Sequence, residues 1–107
     1  MKVFISVGMS GRKNHEVEAD LERARKKIRE IYGDDVVIVD NWNIKIPKKH
    51  EQLWCLGEAI KKLGECNACY FVDGWTKYRG CRIEYAVCSQ YGITRHYESK
   101  MIPYIFM

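Results

Sequence analysis

Apolar positions recur along this chain with two periods, one typical of β-strands and one typical of α-helices. Residues 2–7 form a short β-rich run, and a long stretch at helical spacing follows it. The apolar stripe of that stretch comprises Val17, Leu21, Ala24, Ile28 and Ile31. Asn14 is the predicted N-cap of this helix, and Gly33 is its predicted end.

The remainder of the chain continues the alternation of strands and helices. Residues 36–39 form an unbroken β-branched run, which is typical of a strand buried on both faces. Further helices are predicted at 53–63 and 80–92, and further strands at 68–72, 93–97 and, as a fifth, 102–107. The apolar side of the third helix is predicted to comprise Ile83, Ala86, Val87 and Tyr91. This order predicts a single α/β domain over residues 1–107, a flavodoxin-like three-layer α/β/α sandwich with a parallel sheet of four to five strands.

Composition narrows the classes of partner. The formal net charge of the 107-residue chain is +4, a mild excess that favours a small anionic ligand over a nucleic-acid polymer. No run approaches the ~18 apolar residues that a membrane span needs, so no membrane partner is expected. The first apolar run is too short for a signal peptide, which predicts a cytoplasmic protein.

The five cysteines do not form an evident framework. Their odd number, without an export signal, argues against disulfide bonds. Cys66 and Cys69 have CxxC spacing, but no second pair of ligands accompanies them, so a zinc site lacks half of its donors. We therefore expect neither a metal nor a cofactor.

Candidate ligand-binding residues follow the ends of the first three predicted strands. In open parallel sheets ligands bind at the carboxyl edge, where these ends meet. The glycines also suit a tight turn, and the aspartates suit turns or caps, but their convergence on one edge favours a site. We expect Arg12 and Lys13 to neutralise a phosphate near a helix N-terminus. The predicted ligand-binding residues are Ser6, Gly8, Met9, Ser10, Gly11, Arg12, Asp40, Trp42, Gly74, Trp75 and Gly80.

One carboxylate stands out in the predicted third helix. Glu84 follows Gly80 by four residues and lies at the margin of the apolar arc, within the first turns. There the helix dipole favours its ionised form, which suits a nucleophile or a general base. The structural alternative is a glutamate that caps its own helix or pairs with Arg82 or Lys77. The spacing leaves both open.

Three stretches of sequence resemble one known family. "GWTKYRGCRIEYAV" (74–87), "ISVGMSG" (5–11) and "LGECNACYFVDGW" (63–75) resemble motifs of the nucleoside 2-deoxyribosyltransferase-like superfamily. The similarity is greatest to its short, often phage-associated members of unassigned function, and it covers residues 2 to about 95. It implies the fold already predicted. It also implies attack of a glutamate on the C1′ atom of a nucleoside or nucleotide, with Glu84 in the nucleophile's position.

The resemblance also implies further features of the site, some of which this chain lacks. Related nucleotide hydrolases carry an aspartate in the helix before the third strand, where this chain has Ala59 next to Glu58. Asp73 and Asp40 are substitutes by location, and we take Asp73 as the second catalytic candidate. The Gly-Pro that the family usually carries in its first loop is absent as well.

Family members complete their pockets with a neighbouring subunit. With the apolar tail at 102–107, this predicts a homo-oligomer built partly from the third helix and the tail. Three functions stay open: cleavage or transfer at an N-glycosidic bond, sensing of a nucleotide-like ligand without turnover, and a phage–host interaction on the same fold.

Overall fold

The computed structural model describes residues 1–42, 44 and 49–99, and within them strands and helices alternate as predicted. The four strands are β1 (Lys2–Ser6), β2 (Val37–Val39), β3 (Ala68–Phe71) and β4 (Thr94–Tyr97). The three helices are α1 (Asn14–Tyr32), α2 (Glu51–Leu63) and α3 (Arg79–Tyr91), and a short 3₁₀ turn, Trp75–Lys77, precedes α3. The predicted fifth strand lies outside the described residues.

The four strands form one parallel sheet in the order β2-β1-β3-β4. Alternate side chains of β1 point to opposite faces: Val3 and Ile5 pack with α1, whereas Phe4 packs with α2 and α3. The sheet therefore has one helix on one face and two on the other. This confirms the predicted flavodoxin-like α/β/α architecture.

Helix α1 largely matches its predicted stripe. Four of the five stripe positions are fully buried, while Ile31 near the end of the helix is exposed. Asn14 begins the helix instead of capping it; the cap residue is Lys13, whose backbone N–H donates to the Glu16 carboxylate at 3.3 Å. Gly33 ends the helix at φ 93°, a conformation that favours glycine.

Strand β2 is not buried on both faces, as its sequence had predicted. Among the described strands it lies at the edge of the sheet and pairs with β1 alone, and Val37 is 49% exposed. A β-branched run favours extended backbone wherever it stands, whereas burial depends on how many elements pack against it. The predicted strand is therefore confirmed, whereas its predicted burial on both faces is wrong.

Helix α3 turns a largely different face to the core from the one predicted, since of the four predicted residues Val87 packs against the core and the others are exposed. Its buried residues are Cys81, Glu84 and Cys88, while Ile83 and Tyr91 are exposed, Tyr91 at 81%. Aromatic rings fill the layer between α3 and the sheet, and the small thiols of α3 pack beside them. These rings belong to Phe71, Trp75, Tyr85 and Tyr97. Phe71 on β3 and Trp75 in the turn before α3 decide which face of α3 fits, and the helix's own periodicity does not reveal that face.

Candidate functional site

The carboxyl end of β1 and the second turn of α3 meet at a single polar contact. The Ser6 hydroxyl donates to Glu84 Oε1 at 2.6 Å. Glu84 is only 7% exposed and Ser6 is 1% exposed. Within the described residues these two are the buried polar side chains, and each is the other's partner. The contact joins residues 78 positions apart, so the fold alone brings them together.

Glu84 has neither of the partners that the structural alternative requires. Its carboxylate bonds to Ser6 rather than to the start of α3, whose cap has no side-chain hydrogen bond. Arg82 donates instead to the backbone carbonyl of Thr76 at 2.8 Å. Within the part of the chain that the structure describes, no ion pair involves Glu84.

Burial without a cation changes the acidity of this carboxyl group. Desolvation raises the pKa of Glu84 from 4.5 to about 7, although the Ser6 hydrogen bond offsets part of that rise. Burial likewise raises the pKa of the neighbouring Cys81 to about 12, so that thiol stays neutral. The sequence had predicted that the helix dipole keeps Glu84 ionised. In the structure its protonated and ionised forms are both populated near neutral pH.

The loop after β1 is held by its own side chains. The Arg12 guanidinium donates to the Gly8 carbonyl at 2.8 Å and pairs with Asp20 at 2.7 Å. Gly11, at φ 74°, lies in a tight turn closed by the Arg12 N–H bonding to the Met9 carbonyl. Arg12, a predicted phosphate ligand, thus braces the loop here, and Ser10 is exposed at its tip.

Gly8 meets a residue that the sequence pattern did not single out. A Cβ placed on Gly8 would lie 2.2 Å from two ring carbons of Tyr78, so the ring occupies the space that glycine leaves free. Tyr78 precedes α3 and is half-buried. The one sequence signal for this contact is a glycine two residues after Ser6, on the same face of the chain.

Four other predicted site residues lie on the α1 side of the sheet. Asp40 pairs with Arg25 at 3.2 Å, and the Trp42 indole N–H bonds to the Glu18 carboxylate. Asp73 is exposed in an open groove of ≈ 510 Å³ that contains both signs of charge. The groove is lined by Arg23, Lys26, Lys27, Glu30, Tyr70, Asp73 and Glu98. Asp73 and Asp40 are therefore not brought to Glu84. Met9 also packs on this side.

The predicted residues around the start of α3 have different surroundings. Trp75 is buried and stacks on Tyr85, with ring centroids 5.0 Å apart, so it belongs to the core. Gly74 is exposed at φ 89°, and Gly80 lies in the first turn of α3, where a Cβ would have open space around it. Of the predicted set, the structure gathers Ser6, Gly8 and Glu84 on the α3 side of the carboxyl edge.

The chemistry of this site is that of one buried carboxyl group with a tuned pKa. Such a group can act as a general acid, a general base or a nucleophile. Within the described residues no group of three or more His, Cys, Asp or Glu side chains is arranged to hold a metal ion. All five cysteines are free thiols. No described helix is long and apolar enough to span a lipid bilayer.

Comparison with known proteins identifies a family whose function is unknown. No curated protein and no solved structure matches the chain significantly. A family model does match, and it covers residues 1–97, which include every element described above. The chain belongs to the family described as a domain of unknown function, DUF4406.

Proposed function

We propose that this protein breaks the N-glycosidic bond of a nucleoside or nucleotide, by hydrolysis or by deoxyribosyl transfer, with Glu84 as nucleophile. The observation that carries the proposal is the buried Glu84 carboxyl group, which has a hydroxyl partner and, among the described residues, no ion-pair partner. A buried carboxylate without a counter-charge destabilises a fold, so its presence at a ligand-binding edge favours a chemical role.

The reaction follows from where the charges develop. As the C1′–N bond lengthens, its electron pair moves to the nucleobase, and positive charge grows on the sugar. The Glu84 carboxylate stabilises that charge strongly, because little water surrounds it. One Glu84 oxygen then bonds to C1′ and forms an ester as the C1′–N bond breaks, and the departing base takes up a proton from solvent. Attack on C1′ by water, or by a second base, breaks the ester bond and releases the Glu84 carboxylate, and the proton of the attacking water or base goes to solvent.

Ser6 suits the role of a positioning residue. Its hydroxyl donates to Oε1 of Glu84 at 2.6 Å and so restrains the carboxylate, and we assign attack on the substrate to Oε2. The same bond lowers the pKa of Glu84 against the effect of burial, and so increases the ionised fraction. The resemblance of residues 74–87 to a glycosyl-transferring superfamily supports the same assignment.

A second function is favoured by one observation. An enzyme of this type needs an acid to protonate the departing base, yet Asp40 and Asp73 lie on the α1 side. Glu58 is half-buried and pairs with Lys61. A site with the nucleophile but without the acid would bind a nucleotide-like ligand without cleaving it, as a sensor.

The two functions are separated by an assay for free nucleobase. The wild type is incubated with a panel of nucleosides and nucleoside monophosphates, beside Glu84→Gln and the control Glu22→Gln. Glu22 is an exposed residue of α1, so its replacement is expected to leave turnover unchanged. Loss of the nucleophile is expected to lower the rate by roughly 10³-fold or more.

Equal release of base by the wild type and by Glu84→Gln would contradict the proposal. A rise in melting temperature with a nucleotide, without free base from any member of the panel, would instead support the sensor.

A further inference from the structure

Near the Ser6–Glu84 contact there is a second contact, between the Tyr78 ring and Gly8. From Ser6 the chain continues two residues to Gly8, and from Glu84 it goes back six residues to Tyr78. These two ends meet again, because the Tyr78 ring lies on Gly8.

Both paths lead toward the carboxyl edge of the sheet. Ser6 and Gly8 point to the same face and lie roughly 7 Å apart along an extended chain. Helix α3 starts beyond the carboxyl end of β3 and returns to begin the parallel strand β4, so residues before Glu84 lie nearer that edge. Tyr78 is about 9 Å along the helix from Glu84. The contact between the Tyr78 ring and Gly8 therefore lies on the edge side of Glu84, where ligands bind in open parallel sheets.

The ring fills its space closely. Two of its carbons come within 2.2 Å of the position that a Cβ on Gly8 would take, and Glu84 beneath is 7% exposed. A sugar that approached the carboxylate along β1, past Gly8, would meet this ring. The backbone of Tyr78 is held at both ends, since its N–H donates to the Trp75 carbonyl and its carbonyl accepts from the Arg82 N–H. An opening at this position therefore requires rotation of the side chain and not of the backbone.

We propose that the Tyr78 ring is the gate of the Glu84 site and must swing away from Gly8 before a ligand reaches the carboxylate. The identity of that ligand rests on the proposed function, whereas the gate itself rests on the two contacts. The ring stays attached to the residue before α3 when it swings, so Tyr78 alone closes the site and opens it.

Chemical labelling of Glu84 tests the gate without any substrate. A water-soluble carbodiimide with a small amine converts accessible carboxyl groups to amides, and peptide mass spectrometry gives the rate at each site. Glu22, which is exposed, serves as the reference within the same molecule. In Tyr78→Ala the rate at Glu84 relative to Glu22 is expected to rise about tenfold, because labelling is limited by the open fraction.

Tyr78→Phe keeps the ring and is expected to label Glu84 at the wild-type rate, which separates gating from any effect of the hydroxyl. Gly8→Ala puts a methyl group where the ring lies and is expected to displace it, so labelling rises there too. The fold is checked by the fully buried Cys69, which must stay unreactive toward a thiol reagent.

If Tyr78→Ala exposes Cys69, Gly8→Ala decides the question, and Tyr78→Leu, which removes the ring but keeps apolar packing, replaces it if Gly8→Ala also exposes Cys69. Unchanged labelling at Glu84 in the variants that keep Cys69 protected overturns the gate. The two proposals fail differently: faster labelling without release of base keeps the gate and removes the glycosidic reaction. Release of base with unchanged labelling at Glu84 removes the gate and keeps the glycosidic reaction.

Discussion

Replacement of Glu84 by glutamine is expected to stabilise the protein above neutral pH and to change its stability little in acid. The physical reason is the cost of ionising a carboxyl group that lies 7% exposed and has no cation beside it. Glutamine keeps the shape of the side chain, and its amide oxygen can still accept the Ser6 hydroxyl. The substitution therefore removes the charge and leaves the packing.

The sign and size of the effect follow from the two pKa values. The pKa of Glu84 rises from 4.5 to about 7 on folding, so the unfolded chain loses its proton first as the pH increases. The stability that the protonated group contributes is complete below the unfolded pKa and is lost as the pH rises through the folded pKa. At about 1.4 kcal/mol for each pH unit, the full loss is roughly 3 kcal/mol.

Urea unfolding of the wild type and Glu84→Gln at about pH 4, below the unfolded pKa, and at about pH 8, above the folded pKa, measures this difference. We expect the free energies of unfolding to be similar at the lower pH and to favour Glu84→Gln by roughly 3 kcal/mol at the higher pH. Glu22→Gln, at a side chain 72% exposed, is the control and is expected to show no such change. Wild type and Glu84→Gln with the same pH dependence would refute the reasoning.

Three further outcomes are expected. Ser6→Ala removes the hydrogen bond that lowers the pKa of Glu84, so the acid limb of the pH–rate profile should move to higher pH; an unmoved limb would count against the contact. Leu21→Ala empties a fully buried site and should cost about 2–5 kcal/mol in urea unfolding, whereas Leu53→Ala, 68% exposed, should cost under about 0.5 kcal/mol. Light scattering should give a mass above 12.6 kDa, since α3 exposes an apolar face; a clean monomer would contradict self-association.

The sequence predicted best those elements whose buried face follows from their own periodicity and does not depend on which elements pack against them. The α1 stripe was predictable because one helix face packs on one sheet face, and helical periodicity alone identifies that face. The face of α3 was not, because rings from β3 and from the turn before α3 select it. Likewise the burial of β2 depends on its place at the edge of the sheet, which local sequence does not encode.

The candidate site shows the same division. Glu84 could be singled out because a charge among small and apolar helical neighbours is conspicuous in sequence. Its partner Ser6 is 78 residues away, and the covering ring of Tyr78 depends on the close approach of two loops, so neither pairing could be read from spacing. Asp40 and Asp73 follow strand ends as predicted, yet both lie on the α1 side, which a carboxyl-edge rule cannot distinguish.

The central claim is that Glu84 forms a bond to the anomeric carbon of a sugar. A 2-fluorinated nucleoside analogue slows breakdown of such an ester, so intact-protein and peptide mass spectrometry can find the adduct. We expect one sugar per chain, attached at Glu84 in the wild type and missing from Glu84→Gln. A sugar attached to any other residue, or an equal adduct in Glu84→Gln, would contradict the assignment of Glu84 as nucleophile.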